Sequence, residues 1–231
     1  MRQIFLDTET TGLNPETGDR IVEIGCVEMD SRQLTGNNKH FYLNPERAGS
    51  EEAIRIHGLT DAFLADKPKF AEVVDELMNY LAGAEVVIHN AAFDVGFLNA
   101  ELRLIGRGPF VKSVAKVRDS LLMAREMFPG KANSLDALCR RLEVDNSNRT
   151  LHGALLDAEL LAQVYINMTR GQDSLVMDDN DGSNHDHALE PIDFSAHVTP
   201  VLLANEQELQ AHTQVLAEVQ KASGGKLVWS M

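Results

Sequence analysis

The run Ile4-Phe5-Leu6-Asp7-Thr8-Glu9-Thr10-Thr11-Gly12 constrains the fold most. It begins as a buried β-strand and ends as a turn. Side chains on a strand alternate faces, so Asp7 and Glu9 project to one side, with Phe5 next along the same row. Two like charges at the end of an apolar strand repel each other, and partly buried carboxylates need a cation or hydrogen-bond donors to remain ionised. The strand therefore asks for a compensating partner where it ends.

The same conflict recurs further along the chain. In the helix expected near 154–169, Ala154, Leu155, Ala158, Leu161, Ala162, Tyr165 and Met168 form the apolar stripe, and Asp157 lies on it, three after Ala154 and four before Leu161. Asp94 repeats the pattern with Phe97 and Leu98. Singly, each acid has an ordinary explanation: acids begin turns, a first-turn Asp94 serves the helix dipole, and Asp157 can pair with a basic side chain. Together, Asp7, Glu9, Asp94 and Asp157 make an oxygen-rich set suited to hard divalent ions such as Mg²⁺ or Mn²⁺. Two such ions about 3.5–4 Å apart clamp a phosphoryl displacement. His152, before Gly153 and five residues ahead of Asp157, adds a group that accepts a water proton near neutral pH.

Three β-like runs, 2–8, 20–29 and 40–43, are joined by polar links containing Asn14-Pro15 and Thr35-Gly36, which predicts an antiparallel meander. Helical spacing over 70–81 is followed by a short strand at 85–89, a helix over 94–105, a strand near 114–118, and helices near 119–127, 134–142 and 154–169. This order predicts an α/β mixed sheet covered by helices. With 231 residues, 44% of them apolar, the chain supports one sizeable core plus an appendage. From Gly171 the character changes: 178–186 is acidic and without period, as in a linker, and an amphipathic stretch over roughly 205–221 precedes the apolar Leu227-Val228-Trp229. The expected division is 1–170, 171–204 and 205–231, with the first part folding alone and the rest a flexible tail.

The formal net charge of -14 argues against coating nucleic acid by electrostatics alone. The charge is uneven, however. Residues 103–149 hold ten Lys or Arg against five Asp or Glu, a local basic band that suits a polyanion contact and an ordinary solvated surface equally. Cys26 and Cys139 have no metal or redox spacing and are expected to be reduced, buried thiols. With neither a leader pattern nor an apolar run of membrane-spanning length, the expected location is cytoplasmic.

The motifs Asp7-Thr-Glu-Thr-Thr-Gly12, His89-Asn-Ala-Ala-Phe-Asp94 and His152-x₄-Asp157, in this order and spacing, resemble those of the DEDDh exonuclease superfamily. Within it, the segments 118–122, 127–139 and 149–157 resemble the proofreading epsilon-subunit family of bacterial DNA polymerase III. The resemblance implies a ribonuclease H-like fold and a 3′→5′ exonuclease that acts on single-stranded or mispaired DNA ends and releases 5′-mononucleotides. By it, Asp7, Glu9, Asp94 and Asp157 would hold two Mg²⁺ or Mn²⁺ ions and His152 would be the general base. The DNA 3′ end would meet Asp7, Glu9, Thr10, His57, Asn90, Phe93 and Asp157. In the tail, Gln172, Leu175 and Met177 resemble a sliding-clamp peptide. Residues 205–231, with Leu209, Leu216, Val219 and Trp229, resemble the anchor to the polymerase alpha subunit, and a small accessory subunit would sit on the exonuclease domain. Two competing readings are an RNA-trimming exonuclease of the same superfamily and a non-catalytic adaptor between clamp and polymerase.

Overall fold

The computed structural model describes residues 1–147, 149, 151–170 and 204–224. The chain divides into two units, Met1–Met177 and Asp178–Met231. At the centre of the larger one is β1 (Arg2–Thr10). It runs antiparallel to β2 (Ile21–Asp30) and parallel to β5 (Glu85–Ile88), which is parallel to β6 (Lys116–Asp119). The short β3 (Gln33–Leu34) and β4 (Lys39–Tyr42) both pair antiparallel with β2, giving a mixed six-stranded sheet in the order β3-β2-β1-β5-β6 with β4 also on β2. The meander expected from the first three runs is present, with β3 as an added two-residue strand.

Strand alternation sorts the core into two layers. Ile4 and Leu6 of β1 pack on one side with Val74, Leu77 and Leu81 of α3 (Phe70–Leu81) and Phe97 and Leu98 of α4 (Ala91–Leu104). Phe5 packs on the other with α5 (Ser120–Met127), α6 (Leu135–Arg141) and α7 (Ala154–Met168), where its ring meets Tyr165 edge to face at 5.3 Å. Cys26 and Cys139 are free, buried thiols in opposite layers.

The parallel strands matter for function. β1, β5 and β6 share one direction, and α4 and α5 follow β5 and β6 almost at once. Strand ends and helix N-termini therefore gather at one edge of the sheet, the usual place for a site in such a fold. α4 starts at Ala91, earlier than its apolar spacing suggests. Asn90 adopts a left-handed conformation (φ 67°, ψ 54°) that turns the chain out of β5, and the Asp119 carboxylate accepts from the Asn90 and Ala91 N–H groups at 3.3 and 3.1 Å. Asp119 also caps α5 through Leu121 N–H at 2.8 Å, so one side chain ties both turns together. Two short helices had no periodic signal: α1 (Glu51–His57), capped by Ser50, and α2 (Asp61–Leu64), capped by Thr60. Each buries a single residue, His57 and Leu64 respectively, which is too little to make a period.

One glycine sets how closely α7 approaches the sheet. Gly25 lies opposite Asp7 in the β1–β2 register, and a Cβ there would meet the backbone of Ala154 and Leu155 at 2.2 Å. The helix thus rests on β2 beside the acidic end of β1. Gly25→Ala is expected to cost about 1–3 kcal/mol by overpacking and to push Asp157 away from Asp7. A urea midpoint and activity both at wild-type values would show that α7 does not depend on this contact.

In the smaller unit, α8 (Glu206–Ala222) begins with a capping box between Asn205 and Glu208 and leaves Leu209, Val215 and Val219 exposed. Among the described residues, no helix is long and apolar enough to cross a membrane.

Candidate active site

At the gathered edge, Asp7 and Glu9 from β1, Asp94 from the first turn of α4, Asp157 from the first turn of α7 and His152 line one cavity of about 270 Å³. All four acids and the histidine expected to act together are thus brought together. Their supports are direct hydrogen bonds between distant parts of the chain. The Thr8 hydroxyl donates to Asp94 Oδ1 at 2.7 Å, and the His152 N–H donates to the Ile56 carbonyl at 3.0 Å, tying the segment before α7 to α1. Glu9, His152 and Asp157 offer ligand atoms all within 4.8 Å of one another.

Crowding raises the affinity of these carboxylates for protons. Burial, followed by the Asp94, Asp157 and Glu9 charges, holds Asp7 well above the usual carboxylate range. Glu9 is pushed to about 8, first by burial and then by Asp157 and by Glu23, its direct cross-strand neighbour. Burial carries Asp94 to about 7 against the opposing Thr8 hydrogen bond.

Sequence reasoning did not single out the cation that answers them. Arg149 forms a two-pronged pair with Asp157, Nε to Oδ1 at 2.5 Å and an Nη to Oδ2 at 2.6 Å. It also donates to Asp136 at 2.7 Å and to His152 Nδ1 at 2.9 Å. Burial works against its charge, but Asp157 and Asp136 outweigh that and hold the guanidinium firmly protonated. The ordinary partner weighed for Asp157, a basic side chain, is therefore present alongside the acidic cluster. One guanidinium cannot balance all the carboxylates, and the raised values of Asp7, Glu9 and Asp94 record the deficit. An oxygen-dominated donor set short of positive charge fits a hard divalent cation.

The deficit has a measurable consequence. Glu9 and Asp94 ionise near 4 when unfolded, so the folded chain binds more protons than the unfolded one until pH passes their folded values of about 8 and about 7. Stability of chelator-treated protein must then fall as pH rises through that window. Buried His57 and His89, whose proton affinity is lowered mainly by burial, act oppositely below neutrality. The clean comparison is therefore between about pH 7 and about pH 8.5. The melting temperature should drop over this interval, less so in Glu9→Gln; a rise would contradict the charge deficit.

Of the remaining expected contacts, Asn90 and Phe93 line the carboxylate cavity. Thr10 and His57 line an adjoining hollow of about 210 Å³ with Leu13, Ile56 and Phe93, and its wall continues through Thr8 and Glu9. The Thr10 hydroxyl donates to the Gly12 carbonyl at 2.6 Å, and the Phe93 ring lies 4.9 Å from Phe97. His57 Nδ1 accepts from Leu59 N–H at 3.0 Å, while its buried Nε2 has no partner among the described residues. Gln172, Leu175 and Met177 lie outside the described residues.

The sequence profile of the exonuclease family RNase_T matches residues 4–165. DNA polymerase III subunit epsilon of Escherichia coli (strain K12) is 51% identical to this chain, over 99% of it and 97% of that protein. Among solved structures, exonuclease X in complex with 5′ overhanging duplex DNA superposes with a TM-score of 0.58 at 26% identity, covering 75% of this chain and 94% of that one. The nuclease domain of 3′hExo, described as a DEDDh family member bound to rAMP, gives 0.63 at 20% identity, over 73% and 92% of the two chains, and shares the fold. With the five-residue acidic and histidine cluster on such a sheet, this chain belongs to the DNA polymerase III epsilon-subunit family of exonucleases.

Proposed function

We propose that this chain is the 3′→5′ proofreading exonuclease of a replicative DNA polymerase in the bacterial cytoplasm, releasing 5′-mononucleotides from single-stranded or mispaired DNA ends. The observation that carries this reading is the convergence of Asp7, Glu9, Asp94, Asp157 and His152 on one cavity in a chain half identical to an epsilon subunit. The four carboxylates are assigned to two Mg²⁺ or Mn²⁺ ions. Such ions supply charge neutralisation at the phosphate and a lowered pKa for attacking water.

The chain's own residues do the rest. Thr8 orients Asp94, and Gly25 lets α7 bring Asp157 to the end of β1. His152, exposed at the cavity mouth, takes the proton from attacking water. The hollow around Thr10, Leu13, Ile56, His57 and Phe93 receives the terminal base and sugar. Mispaired ends need no base reading, since a mismatch costs less to unpair and reaches the cavity more often.

Gln172-Asp-Ser-Leu-Val-Met177 is assigned to a sliding clamp, and 205–231 to the polymerase alpha subunit through the Leu209, Leu216 and Val219 side of α8. A small accessory subunit is assigned to the 1–170 domain. A tethered nuclease works at high local concentration, which suits an acidic protein acting on DNA.

The deciding experiment compares nucleotide release from matched and 3′-mismatched DNA duplexes, single-stranded DNA and RNA of the same sequence, with Mg²⁺ and with chelator. Release of 5′-mononucleotides is expected from single strands and mismatched ends, only with metal, and slower from RNA. Faster digestion of RNA would favour the RNA-trimming reading, and no release from any substrate would favour the adaptor.

A further inference from the structure

Beside the carboxylate cavity, sharing His89, Asn90 and Ser134 with it, lies a hollow of about 630 Å³ that no assignment above uses. Its other walls are Leu121 and Arg125 of α5 and Gly130, Lys131 and Asn133 of the loop before α6. The contrast in charge is sharp. Five carboxylates line the first cavity, whereas the second has two cations and no acid. Most arginines of this chain are spent on carboxylates, including Arg2, Arg20, Arg47, Arg103, Arg107, Arg118 and Arg149. The Arg125 and Lys131 side chains have no ion pair or hydrogen bond among the described residues.

Their surroundings fix where these charges stand. Arg125 lies on α5, which Asp119 ties to the start of α4 and so to the acidic cavity. Lys131 follows Gly130, whose left-handed φ of 71° closes a turn in which Lys131 N–H donates to the Phe128 carbonyl at 3.2 Å. The buried Asn133 amide spans that turn, donating to the Phe128 and Lys131 carbonyls at 3.3 and 3.1 Å. Arg141 then locks Asn133 Oδ1 at 3.1 Å and stacks 4.7 Å over the Phe128 ring. A turn braced this way presents its lysine with little ordering left to lose on binding.

The three hollows form one groove. The apolar one around His57 and the basic one around Arg125 and Lys131 each share walls with the carboxylate cavity between them. A strand with its terminal nucleotide in the apolar hollow and its scissile phosphate over the carboxylates has the basic hollow as its continuation. We propose that Arg125 and Lys131 bind the backbone phosphates of the single DNA strand immediately upstream of the scissile bond. The inference rests on the exonuclease reading above. It explains how a chain of net charge -14 keeps hold of a polyanion at a cluster of acids: paired cations are placed where the strand continues.

The test pairs two substrates across wild type, Arg125→Ala/Lys131→Ala and the charge-keeping Arg125→Lys/Lys131→Arg. A single-stranded oligonucleotide has upstream phosphates; the p-nitrophenyl ester of thymidine 5′-phosphate has none. With the alanine pair, KM for the oligonucleotide should rise by roughly 10–100-fold with kcat little changed, and the log–log salt slope should shrink by about 1.4, the value for two single-strand phosphate contacts. Ester hydrolysis should be unchanged, and the charge-keeping pair should restore most of the oligonucleotide KM. Equal slowing on ester and oligonucleotide, or an unchanged KM and salt slope, would overturn the proposal. Anisotropy of a labelled single strand in chelator reads the same loss of binding without hydrolysis. A wild type that binds there but hydrolyses neither substrate would refute the nuclease reading, while the variant's binding would still decide this one.

Discussion

Asp7→Ala, Glu9→Ala, Asp94→Ala and Asp157→Ala should each lower nucleotide release by on the order of 10³-fold or more, a barrier change of about 4 kcal/mol. The acids converge from β1, α4 and α7 on one cavity, and three of them hold protons far above the usual carboxylate range. Each acid reaches the cavity from its own position on β1, α4 or α7, and Arg149, the guanidinium bonded to Asp157, has the wrong sign to stand in for a missing carboxylate. Stability separates Asp7 and Glu9 from Asp157. Losing Asp7 or Glu9 relieves repulsion and should leave the metal-free melting temperature unchanged or higher. Losing Asp157 strips Arg149 of its two-pronged partner and should lower it. Each variant should also lose most of the thermal stabilisation by Mn²⁺, which for a native-state ligand at a hundred times its Kd is about 2.7 kcal/mol. Wild-type release by a folded Asp157→Ala protein would remove the cluster from the mechanism.

His152→Ala should cut the rate by roughly 10²–10⁴-fold, the usual contribution of a general base, yet keep the Mn²⁺ thermal shift. The two readouts distinguish a proton acceptor from a ligand, a distinction the geometry makes pressing. His152 Nδ1 lies 3.3 Å from Asp157 Oδ2, close enough to Glu9 and Asp157 to join them around an ion. Its side chain is nevertheless 45% exposed, unlike the carboxylates, as suits a group that trades protons with water. A mutant that keeps the wild-type rate would take His152 out of proton transfer, and one that loses the Mn²⁺ shift would make it a ligand.

The sequence by itself determined most of what repeats. Apolar spacing located β1, β2, α3, α7 and the body of α4 because each buries a row of side chains, and the acids that interrupt the rows of α4 and α7, Asp94 and Asp157, stood out against them. It said nothing of α1 and α2, whose single buried residues leave no row to detect, though α1 carries His57 and its Ile56 carbonyl accepts from His152 N–H.

What only the tertiary structure decided are the pairings between distant elements. Arg149 could be read as one more base in a basic band until it was seen bonded to Asp157, Asp136 and His152. Asp119 caps α5 and also holds the turn that starts α4, two roles that meet only where the parallel strands end side by side. Gly25 carries no chemical signal at all, yet its missing side chain sets the distance between α7 and the sheet. Periodicity is a local property of the chain, whereas charge compensation and close approach depend on which elements the sheet order makes neighbours.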